Sequence, residues 1–393
     1  MVGNDYMELL TFYTNHLERE VMPYWTKHCI DWENGGVNNI LRDDGSVIST
    51  DKFMWSQGRA LWTFSALFND YNRDTEWLKV ADNIARFIFR YYDNGQGGKA
   101  FKLHADGSTA DVEYSIYVDA FIILGLCEYY RATGNSRAMD IASCIYSRTA
   151  QILEQGSDLP TKPHRIPDGM QSHGPFMIFA YVYHELGIIF GRGDILHHSL
   201  KLAEIIMTQH LDPDTLDFRE FVIPGGAFSD SDAGKTFLPG HIIESMWFME
   251  RIYSYHKKPE RVATAMKVIK KYIEAGWDRE YGGIFLACHI DGGTPVWHMH
   301  DSKVWWPATE ALYALLRAFE VTRDVEFLDW YRKVHRYAFD KYPDREYGEW
   351  HQNLDRRGNV IPCVVRELQV KDPFHLPRAL IYSIATLRRL AGE

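Results

Sequence analysis

The chain has 393 residues, 46% of them hydrophobic, and carries a formal net charge of −10. Its length and apolar content allow one large domain, 1–393, with a sizeable core; its acidic balance excludes nucleic acid or an anionic membrane as main partner, since both need a basic face. No stretch approaches the roughly 18 apolar residues of a membrane span, the first residues lack a leader pattern, and the five scattered cysteines suit neither a disulfide framework nor a metal spacing, which together predict a soluble cytoplasmic protein.

Helical spacing of apolar residues starts at Tyr6 and runs to about Cys29 through Leu9, Leu10, Tyr13, Leu17 and Val21. Asp31-Trp32-Glu33-Asn34-Gly35-Gly36 then predicts a turn, followed by a strand-like piece to Ile48. Helices are expected at about 55–71 and 75–92. The turn recurs at 93–98, before a hairpin from Lys99 to Gly107, and helices follow at about 114–132 and 136–154. A proline-bearing loop, 155–170, leads to helices at about 173–191 and 194–210. After a turn at Asp212 come helices at about 240–256 and 259–276. After another at Asp278 come those at about 304–320 and 325–340. A last turn near Asp344 precedes the final helix, Pro373 to Leu390.

About twelve helices result. Alternate ones start near 55, 114, 173, 241, 305 and 375, a period of roughly 60–70 residues that marks a repeat architecture. Six helical hairpins with no exposed end predict an all-α closed toroid, an (α/α)6 barrel, with short β-hairpins in the long loops at one mouth. An open solenoid is the competing fold, but it has shorter and more uniform loops.

The starts of the inner helices carry the chemistry. Leu238-Pro239-Gly240-His241 breaks the chain just before a His, with Glu244 three residues on and on the same face. Asp372-Pro373-Phe374-His375-Leu376-Pro377-Arg378 repeats the device. Two histidines at helix starts from distant stretches suggest a two-base site. Arg59 sits among apolar residues at another start and suits a substrate oxygen that gains charge, or else a structural ion pair. Tyr117 and His173 stand at two further starts and line the pocket or pack the core. Trp305-Trp306-Pro307 offers a flat wall, and Glu310 follows on an apolar stretch where a carboxylate needs a partner. The dense aromatics (12 Trp, 23 Tyr, 21 Phe) suit the C–H faces of a sugar.

There is no phosphate loop, dinucleotide turn, HExxH pair or nucleophile elbow, and His298-Met299-His300-Asp301 lacks the i, i+4 helical spacing of metal ligands. His, Glu and Arg acid–base chemistry without cofactor or metal remains.

These residues resemble the N-acylglucosamine 2-epimerase superfamily, which includes cellobiose and mannose 2-epimerases and aldose–ketose isomerases. The likeness rests on Pro239-Gly240-His241 with Glu244 and Trp247, on Trp305-Trp306-Pro307 with Glu310, on Asp372-Pro373-Phe374-His375 with Arg378, and on the Arg59 helix start, and it spans nearly the whole chain. It implies the same (α/α)6 barrel, a small-molecule sugar substrate and, as in some members, a homodimer. It also implies that His241 and His375 exchange the C2 proton of an opened sugar through a cis-enediolate. Arg59 then stabilises the enediolate oxygen, Glu310 orients the site and Glu244 partners His241. The stretch Ser172-His173-Gly174-Pro175-Phe176-Met177 is mixed: its His resembles the disaccharide and mannose enzymes, its Pro and Met the N-acylglucosamine enzymes. The alternatives are an aldose–ketose isomerase on the same scaffold, an (α/α)6 glycoside hydrolase, which would need two carboxylates flanking a glycosidic bond, and a non-catalytic sugar-binding barrel.

Overall fold

The computed structural model describes residues 3–92, 100–156, 158–362 and 370–392; the expected turn at 93–98, Lys99 and Cys363 lie outside them. The first helix is α1 (Gly3–His16), which widens through a π-turn (Leu17–Val21) and continues as α2 (Met22–His28). Antiparallel pairs follow: α3 (Met54–Ala66) with α4 (Thr75–Tyr91), α5 (Ile116–Thr133) with α6 (Ser136–Leu153), and α7 (His173–Ile189) with α8 (Gly193–Ile205). After the single turn α9 (Asp232–Lys235) come α10 (Pro239–Tyr255) with α11 (Pro259–Ala275) and α12 (Trp305–Thr322) with α13 (Val325–Lys341). The last helix, α14 (His375–Ala391), packs against α1, so the two ends of the chain form the sixth pair.

Two layers result. Helices α3, α5, α7, α10, α12 and α14 each touch the next, and α14 returns to α3, closing the inner ring. They are buried almost all round, as α7 is from His173 through Gly187, which is what a helix enclosed on every side requires. The outer helices bury one stripe; α4 does so with Val80, Ala81, Ile84, Ala85, Phe87 and Ile88. Gly58 and Gly125 bring α3 and α5 backbone to backbone: a Cβ on Gly58 would lie 2.4 Å from the Phe121 carbonyl. No helix among the described residues is long and apolar enough to cross a membrane.

The long loops crown one mouth, as expected, but their strands differ from the expected hairpins. Among the strands of the described residues, Ile40–Leu41 with Val47–Ser49 and Lys102–Leu103 with Thr109–Asp111 pair locally. The other pairs join neighbouring loops: Lys52–Phe53 to Lys102–Leu103, Gln171–Ser172 to Phe221–Val222, Thr236–Phe237 to Cys288–His289, and Lys303–Val304 to Asn353–Leu354. A bridge from Ser115 to Thr161 and the bond Lys371 N–H to Asn39 O (2.9 Å) fill the two remaining places. A two-residue strand is too short to stand alone, so each borrows its partner from the next repeat. The same contacts satisfy the inner helix starts. The first N–H of α3, α5, α7 and α12 donates to Phe101, Pro160, Glu220 and Gln352 carbonyls at 3.1, 2.8, 2.9 and 3.0 Å.

Four of the predicted turns share one geometry. Asp31, Asp212, Asp278 and Asp344 each accept the backbone N–H groups two and three residues on. The next position is left-handed in every copy; Gly35, Gly282 and Gly348 take it freely, whereas Leu216 holds φ 60° with a side chain. Two fully buried lysines, each two residues before an inner helix, anchor these turns: Lys52 to Asp31 (2.8 Å) and Lys303 to Asp278 (3.0 Å).

Candidate active site

The inner helices all start at the loop-covered mouth, so their N-terminal dipole ends converge there and favour negative charge. Pro239 and Gly240 open α10; a Cβ on Gly240 would lie 2.5 Å from the Trp306 ring, so α10 and α12 meet at that residue. The half-buried Trp306 ring lies beside both imidazoles, its centroid 5.1 Å from that of His241 and 5.8 Å from that of His375. Trp305 presents its ring edge-on to His375 at 6.2 Å. Distant helix starts thus bring His241, His375, Trp305 and Trp306 to one place.

On the α14 side, His375 Nδ1–H donates to Glu310 Oε1 at 2.8 Å. A carboxylate only accepts, so this bond fixes the tautomer and leaves Nε2 as the free ring nitrogen. Arg378 Nη2 donates to the same Glu310 oxygen at 2.7 Å and also to Glu244, while Trp247 Nε1 donates to Glu310 Oε2 at 3.0 Å. Burial first, then the charge of Arg59, holds His375 well below the usual imidazole range. Arg59 pairs with Asp372 at 3.3 Å, and its guanidinium stacks 4.1 Å above the Phe121 ring; its Nε is buried without a partner. Of the two roles weighed for Arg59, the structure contains the ion pair.

On the α10 side, the expected His241–Glu244 pair does not form. His241 Nδ1–H instead donates to Glu220 Oε2 at 3.3 Å, and Glu244 is taken by Arg378 across the ring. Side chains in the first turn of a helix tilt toward its N-terminus, so His241 leans toward the loop and away from the turn that holds Glu244. Glu220 is buried beneath the mouth, fixed by the Ser172–Phe221 pairing and by its own carbonyl on the α7 start. Ser172 Oγ donates to it at 3.4 Å, and His173 Nδ1 lies 3.5 Å away. Burial alone would raise the Glu220 carboxyl, but His241 and then His173 outweigh it and hold it well below the carboxylate range. The converse holds for His241: burial would lower it, yet the charge and hydrogen bond of Glu220, with Glu244, shift it upward.

The other predicted residues take supporting places. His173 is fully buried, bonded through Nε2 to Ser245 Oγ (3.0 Å), and backs Glu220 without facing the pocket. Tyr117 is half-buried, and the space left by Gly174 admits its hydroxyl, which would lie 2.7 Å from a Cβ there. Two residues went unforeseen. Glu220 carried a faint signal, an acid inside the apolar, strand-like run Phe218 to Ile223. His164, on the 155–170 loop, stacks on Trp297 at 5.4 Å, near enough for the His241 charge, after burial, to lower it. Two groups, His173–Glu220–His241 and Glu244–Glu310–His375, bring three donor atoms within 4.8 Å of one another. In the second, the Arg378 guanidinium already bridges both carboxylates.

The architecture is an (α/α)6 barrel, a fold it shares with solved carbohydrate epimerases and isomerases. Cellobiose 2-epimerase from Bacillus thermoamylovorans has the same fold, with a TM-score of 0.83 at 22% identity over 96% of this chain and 99% of that one. A D-mannose isomerase matches with a TM-score of 0.82 at 18% identity over 97% and 98% of the two chains. Sequence narrows the class further. The N-acylglucosamine 2-epimerase (GlcNAc 2-epimerase) family profile matches residues 35–370, so the chain belongs to that family and is an isomerase, a sugar 2-epimerase. It is 28% identical to the N-acylglucosamine 2-epimerase of Bos taurus, over 98% of this chain and 94% of the bovine one. It is 23% identical to the cellobiose 2-epimerase of Dictyoglomus turgidum, over 92% and 94%.

Proposed function

We propose that the protein interconverts the C2 epimers of an N-acylated hexosamine, N-acylglucosamine and N-acylmannosamine, by two-histidine proton transfer. The carrying observation is that two imidazoles lie beside the Trp306 ring, each with Nδ1 tied to a buried glutamate and Nε2 left free. A proton on C2 of an open-chain sugar is acidic only when the C1 carbonyl is polarised, and Arg59, whose side chain stays 18% exposed beside its Asp372 ion pair, is the donor for that oxygen. One histidine removes the proton, an enolate forms with the acylamino nitrogen on C2 (the counterpart of the cis-enediolate of a plain aldose), and the other returns a proton to the opposite face. Glu310 and Glu220 hold the two rings in register. Trp305, Trp306 and Tyr117 bound the sugar, and Arg378 with Glu244 braces the floor beneath it. These groups work as an acid–base set, with no cofactor or metal ligation. The N-acyl preference is supported by the 28% identity to the bovine enzyme, above the 23% to the Dictyoglomus cellobiose enzyme. The free thiols Cys29, Cys127, Cys144 and Cys288 support a reducing, cytoplasmic setting.

Proton NMR in D2O tests this, with N-acetylglucosamine, N-acetylmannosamine, glucose, mannose, fructose and cellobiose in separate tubes. Loss of the C2 proton signal of N-acetylglucosamine, with growth of the N-acetylmannosamine spectrum, is expected. Turnover of a plain aldose instead moves the substrate. Formation of a ketose from a plain aldose reassigns the protein as an aldose–ketose isomerase, in which the enediolate of that aldose is protonated at C1.

A further inference from the structure

The two histidines are built alike but compensated differently. Each stands in the first turn of an inner helix, and each gives Nδ1–H to a buried glutamate. Glu310, however, shares its oxygen with the Arg378 guanidinium. Around His375 stand Arg59 from α3, Glu244 from α10, Glu310 from α12, Arg378 from α14 itself, and Asp372 just before it. Cations therefore face His375 from two helices. Around His241 stand Glu220 from the neighbouring loop, Glu244 from α10, His173 from α7 and His164 from the 155–170 loop, with the neutral Trp306 on the α12 side. The hydrogen-bond and ion-pair partners of Glu220 are Ser172, His173 and His241. A buried carboxylate whose cationic partners are histidines keeps its charge only if one of them is protonated.

On the two-base reading above, we propose that Glu220 is the positioning residue that keeps the working proton on His241, so that the histidines rest in opposite states, His241 as imidazolium and His375 as free imidazole. The opposed directions of their proton affinities agree with this arrangement. The chemistry then has a sense. For the epimer whose C2–H faces His375, Nε2 of His375 takes that proton. The C–H pair becomes the C1–C2 double bond, and the carbonyl π pair moves onto O1, where Arg59 meets it. His241 Nε2–H then gives its proton to the opposite face of C2, and the O1 pair re-forms the carbonyl. The sugar has gained and lost one proton. The protein is left with the proton on His375 and none on His241, the reverse of rest. Before the next turnover in that direction, His375 releases one proton to water and His241 takes one from it.

The test compares the full-length wild-type protein with Glu220→Gln. Nitrogen-15 NMR of the histidine rings, assigned with His241→Asn and His375→Asn, is expected to show one imidazolium and one neutral ring at pH 7 in the wild type, and two neutral rings in Glu220→Gln. Two neutral or two charged rings in the wild type would overturn the proposal. This readout needs no substrate, so it stands even if the sugar assignment fails in the D2O experiment. In pH profiles of kcat/KM, loss of the His241 proton sets the basic limb. Glu220→Gln is expected to move that limb to lower pH, with kcat/KM falling about tenfold more between pH 6 and pH 8 than in the wild type, while the acid limb set by His375 stays in place. A uniform drop at every pH would mean a merely structural role and would also overturn it. Glu220→Asp, which keeps the charge, is expected to restore the wild-type profile shape; if Glu220→Gln does not fold, the wild-type ring measurement alone decides.

Discussion

The two ends of the barrel solve the same problem, how to end a helix, in opposite ways. At the mouth, none of the six inner helices has a side-chain cap at its start. Carbonyls of the neighbouring loop take the first N–H in four of them. The polar side chains of these turns are thereby released to point at the pocket. At the far end the five links are short and each holds a left-handed residue; in three of them an Asp or Asn cap follows, whereas Arg192 and Lys258 open α8 and α11 without a side-chain cap. Arg73-Asp74, Gly134-Asn135 and Arg323-Asp324 all follow this pattern, each cap accepting the N–H two residues on. Charges differ too. Arginines at the far end suit the negative ends of the inner helices and are paired with acids: Arg317 with Glu250 (2.8 Å) and Glu320 (2.6 Å), Arg389 with Glu320 (2.6 Å), and Arg251 with Glu185 (3.1 Å). Arg251, Arg317 and Arg389 line a cavity of about 390 Å³ with Tyr313 and Tyr382. Uncapped starts and unevenly compensated charge thus gather where chemistry is proposed, and self-contained caps and paired charge where only closure is needed.

If that division holds, substitutions at the mouth change activity and those at the far end change stability. His241→Ala or His375→Ala is expected to lower kcat/KM by about a thousandfold or more, near 4 kcal/mol of transition-state stabilisation, while far-UV circular dichroism shows the fold retained. Full activity in either variant would end the two-base account. Arg317→Leu strips the bidentate partner from Glu250, which is only 2% exposed, and is expected to destabilise by about 3 kcal/mol in urea unfolding while kcat/KM at 25 °C stays unchanged. Asp324→Ala removes one cap and is expected to lower stability by about 1 kcal/mol, again without touching activity; lost activity there would blur the comparison.

A further effect is one of acidity and spans both ends. Burial holds His184 and His210 down to about 3 and His335 to about 4. Between pH 6.5 and those values the unfolded chain binds protons that the native state refuses, so stability is full above pH 6.5 and falls as the pH drops below it. Calorimetry is expected to show a melting temperature lower by a few degrees at pH 5.5 than at pH 7.5; an unchanged or higher value would mean that these rings protonate in the folded state.

Much of the candidate site was legible because it sits at helix starts that Pro and Gly punctuate. His241, His375, Arg378, Glu310 and the tandem Trp305-Trp306 all lie within two turns of such a start, and local spacing alone marked them. The Glu220 partnership was not legible. It lies 21 residues before His241, and the pairing of Ser172 with Phe221, together with the backbone bond from His173 to Glu220, carries it there. Spacing favoured Glu244, three residues from His241, but helical neighbours in sequence share a face only when their side chains lean together, and a first-turn His leans away. The cross-loop strands escaped for a similar reason: a two-residue strand has no periodicity of its own, so its partner in the next repeat leaves no local trace.

What the sequence determined by itself was the repeat. Apolar period, turn signals and their spacing of roughly 60–70 residues dictate six helical hairpins and the residues that open each inner helix, because those are local preferences summed along the chain. What only the tertiary structure decided was the pairing of charges across the ring: Glu220 with His241, Glu310 with His375, Arg378 with both Glu244 and Glu310. Which buried carboxylate meets which cation depends on where closure of the ring brings helix starts that are far apart in the chain, and no local preference encodes that meeting.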